Sequence, residues 1–276
     1  MYTGPMYLAV DIGGSKTLLA VFSPRGELVK KYKLATDKNY TGFKTSLRQA
    51  LAKEFGGQDF RGCCCAAPGL VDRSRGVVLS FGNLSWKDTP LKQDLQQLLG
   101  DIPVWVENDA NLAGLSEALL VHDKYKKVLY LTIGTGIGDG IIIDGVIDPT
   151  LADSEPGHML IEHGGTLHKW ENLASGKALV DKYGKIAAQI DDPQIWMSFA
   201  HRVALGLNQL IATVQPEVVI IGGGVGVHFQ KFEDYLKHEL ASDNDSLVNI
   251  PPIIKAKKPE EAVVYGCYEF IRQRQN

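Results

Sequence analysis

Residues 7–22, YLAVDIGGSKTLLAVF, place a glycine turn between two apolar runs. The runs at residues 7–12 and 17–22 are short and contain β-branched residues, so they predict two buried strands. Gly13 and Gly14 predict a tight turn between these strands. A dinucleotide-binding fingerprint needs a helix directly after its glycines, so this strand–turn–strand pattern excludes that kind of site.

The same pattern returns in the second half of the chain. Residues 128–133 predict a strand, Gly134-Thr135-Gly136 a turn, and residues 139–144 a returning strand. One strand–glycine–strand unit near the start of each half indicates two related α/β domains.

Hydrophobic spacing predicts the remaining elements. We expect further strands at residues 27–34, 62–67, 103–107 and 217–221. We expect helices at residues 42–55, 108–121, 173–190, 194–214, 227–240 and 259–273.

Composition narrows the class of protein. The 276 residues are 45% hydrophobic with a formal net charge of −3, which fits a globular chain and argues against a dedicated nucleic-acid binder. The N-terminus lacks a secretory signal pattern, and no apolar run approaches the ~20 residues that span a bilayer. We therefore expect a cytoplasmic protein without a membrane partner.

The sequence contains four cysteines, which we expect to be buried, reduced thiols: Cys63, Cys64, Cys65 and Cys267.

Three glycine-rich loops follow predicted strands, which favours a nucleotide phosphate site. Glycine lets backbone N–H groups curl around an anion, and the third loop opens onto a helix N-terminus. The candidate phosphate residues are Gly13, Gly14, Ser15, Lys16, Thr17, Gly134, Thr135, Gly136, Gly222, Gly223 and Gly224. No GxxxxGK[ST] motif is present, so the P-loop class is excluded. Each cluster alone is also typical of a simple tight turn.

Polar residues at two other places suit chemistry on a polyol. Asp109 lies at a predicted strand–helix junction, where a carboxylate either caps the helix or accepts a proton from a hydroxyl that attacks phosphorus. Glu155 and His158 lie in a polar loop, and Glu171 shortly precedes a predicted helix. These side chains would supply hydrogen-bond acceptors and a donor for a polyol. The simpler interpretation is that Glu155 and His158 belong to a surface loop and that Glu171 favours the start of a helix.

Five segments in order resemble the repressor–open-reading-frame–kinase (ROK) family of sugar kinases, within the actin-like ATPase superfamily. The resemblance covers nearly the whole chain. The matching segments are residues 11–17, residues 67–72 with 83–86, residues 107–111, residues 131–138 and residues 219–224.

The resemblance implies an ATP-dependent hexokinase or glucokinase with two ribonuclease-H-like α/β domains and an active site in the interdomain cleft. The first domain would be residues 1–108 joined by a C-terminal helix at about 260–276, and the second residues 109–259. Asp109 would be the general base, and Asp11 would act near Mg²⁺ through water. The residues implied to hold or enclose the sugar are Gly69, Asn83, Asn108, Glu155, His158 and Glu171.

One departure from the family concerns zinc. Many members carry a CxCGxxGCxE zinc module before the sugar-binding glutamate, whereas residues 158–171 contain no cysteine. A structural zinc site needs four ligands and is usually rich in cysteine, so no structural zinc is expected.

Two rival functions stay open. The first is a sugar-sensing protein without catalysis. No helix-turn-helix is expected before the first strand at residue 7, which argues against this alternative. The second is a polyphosphate-dependent glucokinase, for which Lys124, Lys126 and Lys127 form only a small basic cluster. Glucose, phosphorylated at its 6-hydroxyl, is the default substrate, and other hexoses and amino sugars remain open. Family members often form homodimers, which the sequence itself does not test.

Overall fold

The computed structural model describes residues 4–242, 248–259 and 261–275. The first part of the chain contains β1 (Met6–Ile12), β2 (Lys16–Phe22), β3 (Leu28–Ala35), α1 (Tyr40–Phe55), β4 (Phe60–Ala67), β5 (Gly69–Asp72), β6 (Val77–Phe81), β7 (Lys87–Thr89), α2 (Leu91–Leu99), β8 (Val104–Asn108) and α3 (Asp109–Leu119).

The later part contains β9 (Lys127–Ile133), β10 (Ile137–Ile143), β11 (Val146–Ile147), β12 (Leu160–His163), β13 (Thr166–Lys169), α4 (Trp170–Ala174), α5 (Gly176–Tyr183), α6 (Pro193–Val214), β14 (Val218–Gly222), α7 (Gly223–Gly226), α8 (Glu233–Ser242), β15 (Ile253–Lys255) and α9 (Ala262–Gln275). No described helix is long and apolar enough to cross a membrane.

The chain divides into two compact units. Residues up to 116 and from 261 onward form the first unit, and residues 117–260 form the second. The division therefore falls within α3, between residues 116 and 117, whereas the expected boundary follows residue 108. Close packing explains why most of α3 belongs with the first unit: a β-carbon on Gly266 of α9 would lie 1.8 Å from the carbonyl oxygen of Leu112 in α3. The predicted last helix, 259–273, includes residue 260, which lies outside the described residues.

A five-stranded sheet in the order β3-β2-β1-β4-β8 forms the centre of the first unit. β1 and β2 pair antiparallel with Ile12 opposite Thr17, while β1, β4 and β8 run parallel. The predicted strand–turn–strand unit is therefore confirmed. Residues of α1 and α2, including Phe43 and Leu95, share one buried core with Val10 of β1.

A small antiparallel sheet, β5-β6-β7, has no counterpart in the sequence prediction. Its strands are short and only partly buried, so they show little of the alternation that marks longer strands. Gly69 begins β5 with φ +128°, and a β-carbon there would lie 2.1 Å from the carbonyl oxygen of Ser80. This position therefore requires glycine.

The second unit contains its own five-stranded sheet, β11-β10-β9-β14-β15. β9 and β10 form the second predicted hairpin, with Ile133 opposite Ile137. β10 continues through a turn at Asp144 and Gly145, both at positive φ, into β11. The sheet packs against α5, α6 and α8 in a core that includes Leu179, Leu207 and Leu236.

Two predicted helices were wrong as single elements. Residues 173–190 are broken because Ser175 caps the start of α5 and Gly184, at φ +66°, ends it. Residues 227–240 contain a 3₁₀ turn, Phe229–Lys231, before α8 begins at Glu233. The third glycine loop is itself the start of the short helix α7.

The cysteine prediction is confirmed. Cys63, Cys64, Cys65 and Cys267 are all buried free thiols. Burial raises the pKa of Cys64 well above its usual range, and a hydrogen bond with Cys267 adds to the effect. These thiols therefore serve the packing between β4 and α9 rather than reaction with solvent.

Candidate functional site

The first glycine turn is closed by its own backbone. The N–H of Gly13 donates to the carbonyl oxygen of Lys16 over 3.0 Å, and Lys38 donates from Nζ to the carbonyl oxygen of Gly14 over 2.6 Å. A β-carbon on Gly14 would lie 2.8 Å from the side chain of Asn83. The fold thus places Asn83, a predicted sugar residue, directly against a predicted phosphate loop.

Two half-buried carboxyl groups of the first unit interact. Asp11 is the next-to-last residue of β1, close to the turn, and Asp109 begins α3. Burial and the charge of Asp109 raise the pKa of Asp11 to about 7, and Lys33 opposes this in part. Burial also raises the pKa of Asp109, while the Ala110 N–H, at 2.9 Å from its Oδ1, lowers it in part.

Asn108, rather than Asp109, caps helix α3. Its Oδ1 accepts from the N–H groups of Ala110 (2.8 Å) and Asn111 (3.2 Å), and its Nδ2 donates to the carbonyl oxygen of Gly69 over 3.2 Å. The cap therefore joins the helix start to β5. Because another residue makes the two-pronged cap, the carboxylate of Asp109 keeps acceptor capacity for a ligand.

Sequence reasoning missed the roles of Glu107 and Arg73. Glu107 is buried at the end of β8, where its Oε1 accepts from the Asn108 N–H over 2.7 Å and from Nδ2 of Asn111 over 3.1 Å. Arg73 forms a two-pronged ion pair with the same carboxylate. A buried carboxylate predicts a cationic partner, but no sequence signal identifies one 34 residues away.

In the second unit, the turn between β9 and β10 packs against the start of α5. The Gly134 N–H donates to the carbonyl oxygen of Gly136 over 3.0 Å, and the Gly176 N–H donates to the carbonyl oxygen of Gly134 over 2.7 Å. Thr135, at the tip of the turn, is exposed. The turn is thus fixed by backbone bonds while its tip faces solvent.

Glu171 links this turn with the predicted sugar loop. Its Oε2 lies 2.6 Å from where a β-carbon on Gly136 would be, and 3.3 Å from where one on Gly157 would be. Glu155 and His158, on either side of Gly157, are exposed. The second unit therefore brings together Glu171, the second glycine turn and the segment 155–158.

The third glycine cluster is partly explained by packing. A β-carbon on Gly222 would lie 2.2 Å from the hydroxyl of Tyr130, and one on Gly223, at φ +80°, would lie 2.6 Å from the carbonyl oxygen of Ile133. No atom lies within 4 Å of the corresponding position on Gly224. Two of the three glycines therefore have a structural reason, and Gly224 is left open to a ligand.

Among residues 4–242, 248–259 and 261–275, no group of three or more His, Cys, Asp or Glu side chains is placed to hold a metal ion. In the first unit, Asp11 and Asp109 form an acidic pair, and the charge of Asp109 acts on Asp11.

The ROK family model matches residues 7–274, and the chain belongs to this family. It is 30% identical over 268 residues to a glucokinase of Halalkalibacterium halodurans, covering 79% of this chain and 80% of the relative. It is also 30% identical over 243 residues to a fructokinase of Lactococcus lactis subsp. cremoris, covering 79% of each.

A solved ROK family glucokinase from Streptomyces griseus, in complex with glucose and AMPPNP, superposes with a TM-score of 0.82. The two chains are 26% identical, with 97% of this chain and 99% of that chain covered. The predicted α/β fold of the ROK sugar kinases, within the actin-like ATPase superfamily, is confirmed. The relatives also support sugar kinase activity.

Proposed function

We propose that this protein transfers the γ-phosphoryl group of ATP to a hexose hydroxyl, with Asp109 as general base. The carboxylate of Asp109 carries the proposal: it is half-buried at the start of α3 and is relieved of capping by Asn108. Burial raises its pKa toward the range that suits proton transfer. It would accept the proton of the attacking hydroxyl while the oxygen bonds to phosphorus.

Residues of the first unit would orient the sugar near this base. Asn108 retains an amide hydrogen beyond the one given to Gly69, so it can donate to a hydroxyl. Asn83 lies beside Gly14, which suits contact with a sugar next to a phosphate. Gly69 packs closely against Ser80, and its carbonyl oxygen accepts from Asn108, so it would help to hold Asn108 in place.

Residues of the second unit would bind the remaining hydroxyls. Glu155 and His158 present exposed side chains, and Glu171 is held against Gly136 and Gly157. Carboxylates accept from sugar hydroxyls and an imidazole can donate to or accept from them. The substrate would therefore be a polyol, with the 6-hydroxyl of glucose as the first candidate acceptor.

The two hairpin turns and Lys16 would bind the ATP phosphates. A nucleotide would approach the backbone at Gly224, where a β-carbon would meet no atom within 4 Å. Asp11 fits a place near Mg²⁺, since its carboxyl is half-buried and no described side chain donates a hydrogen bond to it. Asp11 would hold the ion through water. The bound ion would neutralise charge on the β- and γ-phosphates.

A coupled ADP-release assay tests the proposal. A panel of hexoses and amino sugars is offered with Mg²⁺ and either ATP or polyphosphate. We expect turnover with ATP, a loss of about 1,000-fold in kcat for Asp109→Asn, and near-normal hexose binding by that variant in calorimetry. Asp181→Asn, an exposed acid paired with Lys177 on α5, is the control. Near-normal turnover by Asp109→Asn would contradict the role of Asp109.

A non-catalytic sugar sensor is the second candidate, because the family also contains a repressor. It predicts hexose binding without ADP release, together with retarded DNA migration by the same preparation. Turnover with polyphosphate but not with ATP would instead favour a polyphosphate-dependent glucokinase.

A further inference from the structure

One buried acid of the second unit has no part in the mechanism above. Asp139 lies in the middle of β10, three residues beyond Gly136, and is only 4% exposed. Strand alternation places its side chain on the same face as Ile137 and Ile141, both of which belong to the hydrophobic core. A carboxyl group in such a row costs stability that an apolar side chain would not, so its presence requires a reason.

The contact of Asp139 leads to the proposed sugar loop. Among the described side chains, Ser154 is its hydrogen-bond partner, donating from Oγ to Oδ2 over 3.0 Å. Ser154 directly precedes Glu155, and the charge of Glu155 acts on Asp139. The buried acid is therefore coupled to the first residue of the segment that carries Glu155 and His158.

This segment has a second anchor on the same strand. Gly157 packs against β10 so closely that a β-carbon would lie 2.5 Å from the carbonyl oxygen of Ile137. Residues 137 and 139 share one face of β10, about 7 Å apart along the strand. The contacts at Ser154 and Gly157 thus fix both ends of residues 154–157. Glu155 lies between these two contacts, and His158 directly follows Gly157.

We propose that Asp139 is a positioning residue for hexose binding, which it serves by holding Ser154 and thereby fixing the entry of the segment 155–158. The inference rests on the proposed sugar kinase function. Without the hydrogen bond, Gly157 still packs on β10, but residues 154 and 155 lose their anchor and Glu155 samples other positions. Hexose affinity depends on this anchor, whereas ATP binding does not.

The experiment measures the hexose dissociation constant by calorimetry and the KM values for hexose and ATP, with melting temperatures as a check on folding. We expect Asp139→Ala to weaken hexose binding by about tenfold, the size of one lost buried hydrogen bond, and to leave the ATP KM within about twofold. Ser154→Ala is expected to match it. The double variant should be no weaker than either single variant, because both remove one interaction.

Asp139→Asn provides the conservative variant, since its amide oxygen still accepts from Ser154. We expect it to retain wild-type hexose affinity, while Asp181→Ala on α5 serves as a surface control. Equal losses for hexose and ATP, additive single variants, or unchanged hexose affinity in Asp139→Ala would overturn the positioning role. A wild-type protein that neither binds nor phosphorylates any hexose would instead overturn the proposed function and the inference with it.

Discussion

Arg73 binds the buried carboxylate of Glu107 through two hydrogen bonds, of 2.8 Å from Nε and 2.7 Å from Nη2. The side chain of Glu107 is 2% exposed, whereas that of Arg73 is 29% exposed. Glu107 also receives the backbone N–H of Asn108, the residue that caps α3. The ion pair therefore stabilises the strand–helix junction from which Asp109 projects.

Removing the two partners is expected to have unequal effects. Arg73→Met leaves a buried carboxylate without its cation and should lower the free energy of unfolding by about 3 kcal/mol. Glu107→Gln leaves Arg73, which can reach water, and should cost less. The double variant should recover part of the loss. Urea unfolding of the four proteins measures these differences, and an equal or larger loss in Glu107→Gln would contradict the argument.

The parts of the fold that depend on local patterns were predictable from the sequence. Both glycine hairpins follow from apolar runs around a turn, and Asp109 follows from its place between a strand and a helix. The break between α4 and α5 was not predictable, because the buried residues Ala174 and Ala178 lie four residues apart and keep a helix-like apolar spacing across it. Here the cap at Ser175 overrides the periodicity.

The parts of the candidate site that depend on tertiary contacts were not predictable. Residue types alone do not show that Asn108 rather than Asp109 makes the cap, since both are good capping residues. Sequence spacing also does not show that Arg73 contacts Glu107, or that Glu171 lies close to Gly136. Asp139 begins the predicted returning strand at residues 139–144, but its burial and its hydrogen bond with Ser154 depend on tertiary contacts that the strand pattern does not show.

The close approach of Glu171 to Gly136 gives a prediction with a matched control in the same turn. Gly136→Ala would place a methyl group 2.6 Å from Oε2 of Glu171, so the carboxylate must move. Gly134→Ala meets no atom within 4 Å. We expect the first variant to weaken hexose binding about tenfold and the second to preserve it, as measured by calorimetry. Equal hexose affinities would show that the position of Glu171 does not matter for the sugar.

The raised pKa of Asp109 predicts the acid side of the pH–rate profile. A general base must be ionised, so kcat/KM for the hexose should fall as the pH is lowered through the pKa of this group. Because burial holds that pKa above the ordinary 3.8, the fall should begin at higher pH than for an exposed carboxylate. Initial rates across the pH range test this, and the residual activity of Asp109→Asn should lack the same limb.

Asp139 predicts a pH dependence of stability. Burial, with the charge of Glu155, raises the pKa of Asp139 from 3.8 to about 7, and the Ser154 hydroxyl opposes this. Between those values the folded protein keeps a proton that the unfolded chain has released, so stability falls as pH rises. Asp139→Asn lacks this proton. Its stability relative to wild type should therefore increase by up to about 4 kcal/mol from about pH 4 to about pH 7 and then stay constant. Urea unfolding in a pH series measures the difference in free energy of unfolding between the variant and wild type. A difference that does not change with pH would contradict the raised pKa of Asp139.

The hairpin of β12 and β13 occupies the stretch where many family members carry zinc, and Trp170 anchors it. The indole is fully buried, its Nε1 donates to the carbonyl oxygen of Arg202 over 3.0 Å, and the backbone N–H donates to the carbonyl oxygen of Met159 over 2.8 Å. The ring packs so closely against Gly206 that this position has no room for a side chain. A β-carbon on Gly206 would lie 2.2 Å from the nearest atoms of the indole ring.

Because packing holds this hairpin, exhaustive dialysis against a zinc chelator should leave the melting temperature unchanged. Trp170→Phe should lower the free energy of unfolding by about 2–4 kcal/mol, since it leaves a cavity and a buried carbonyl without its donor. Calorimetric melting of the dialysed wild type and of the variant, with elemental analysis for zinc, tests both outcomes. A fall in melting temperature on chelation, restored by added zinc, would show that a metal rather than Trp170 stabilises this part of the chain.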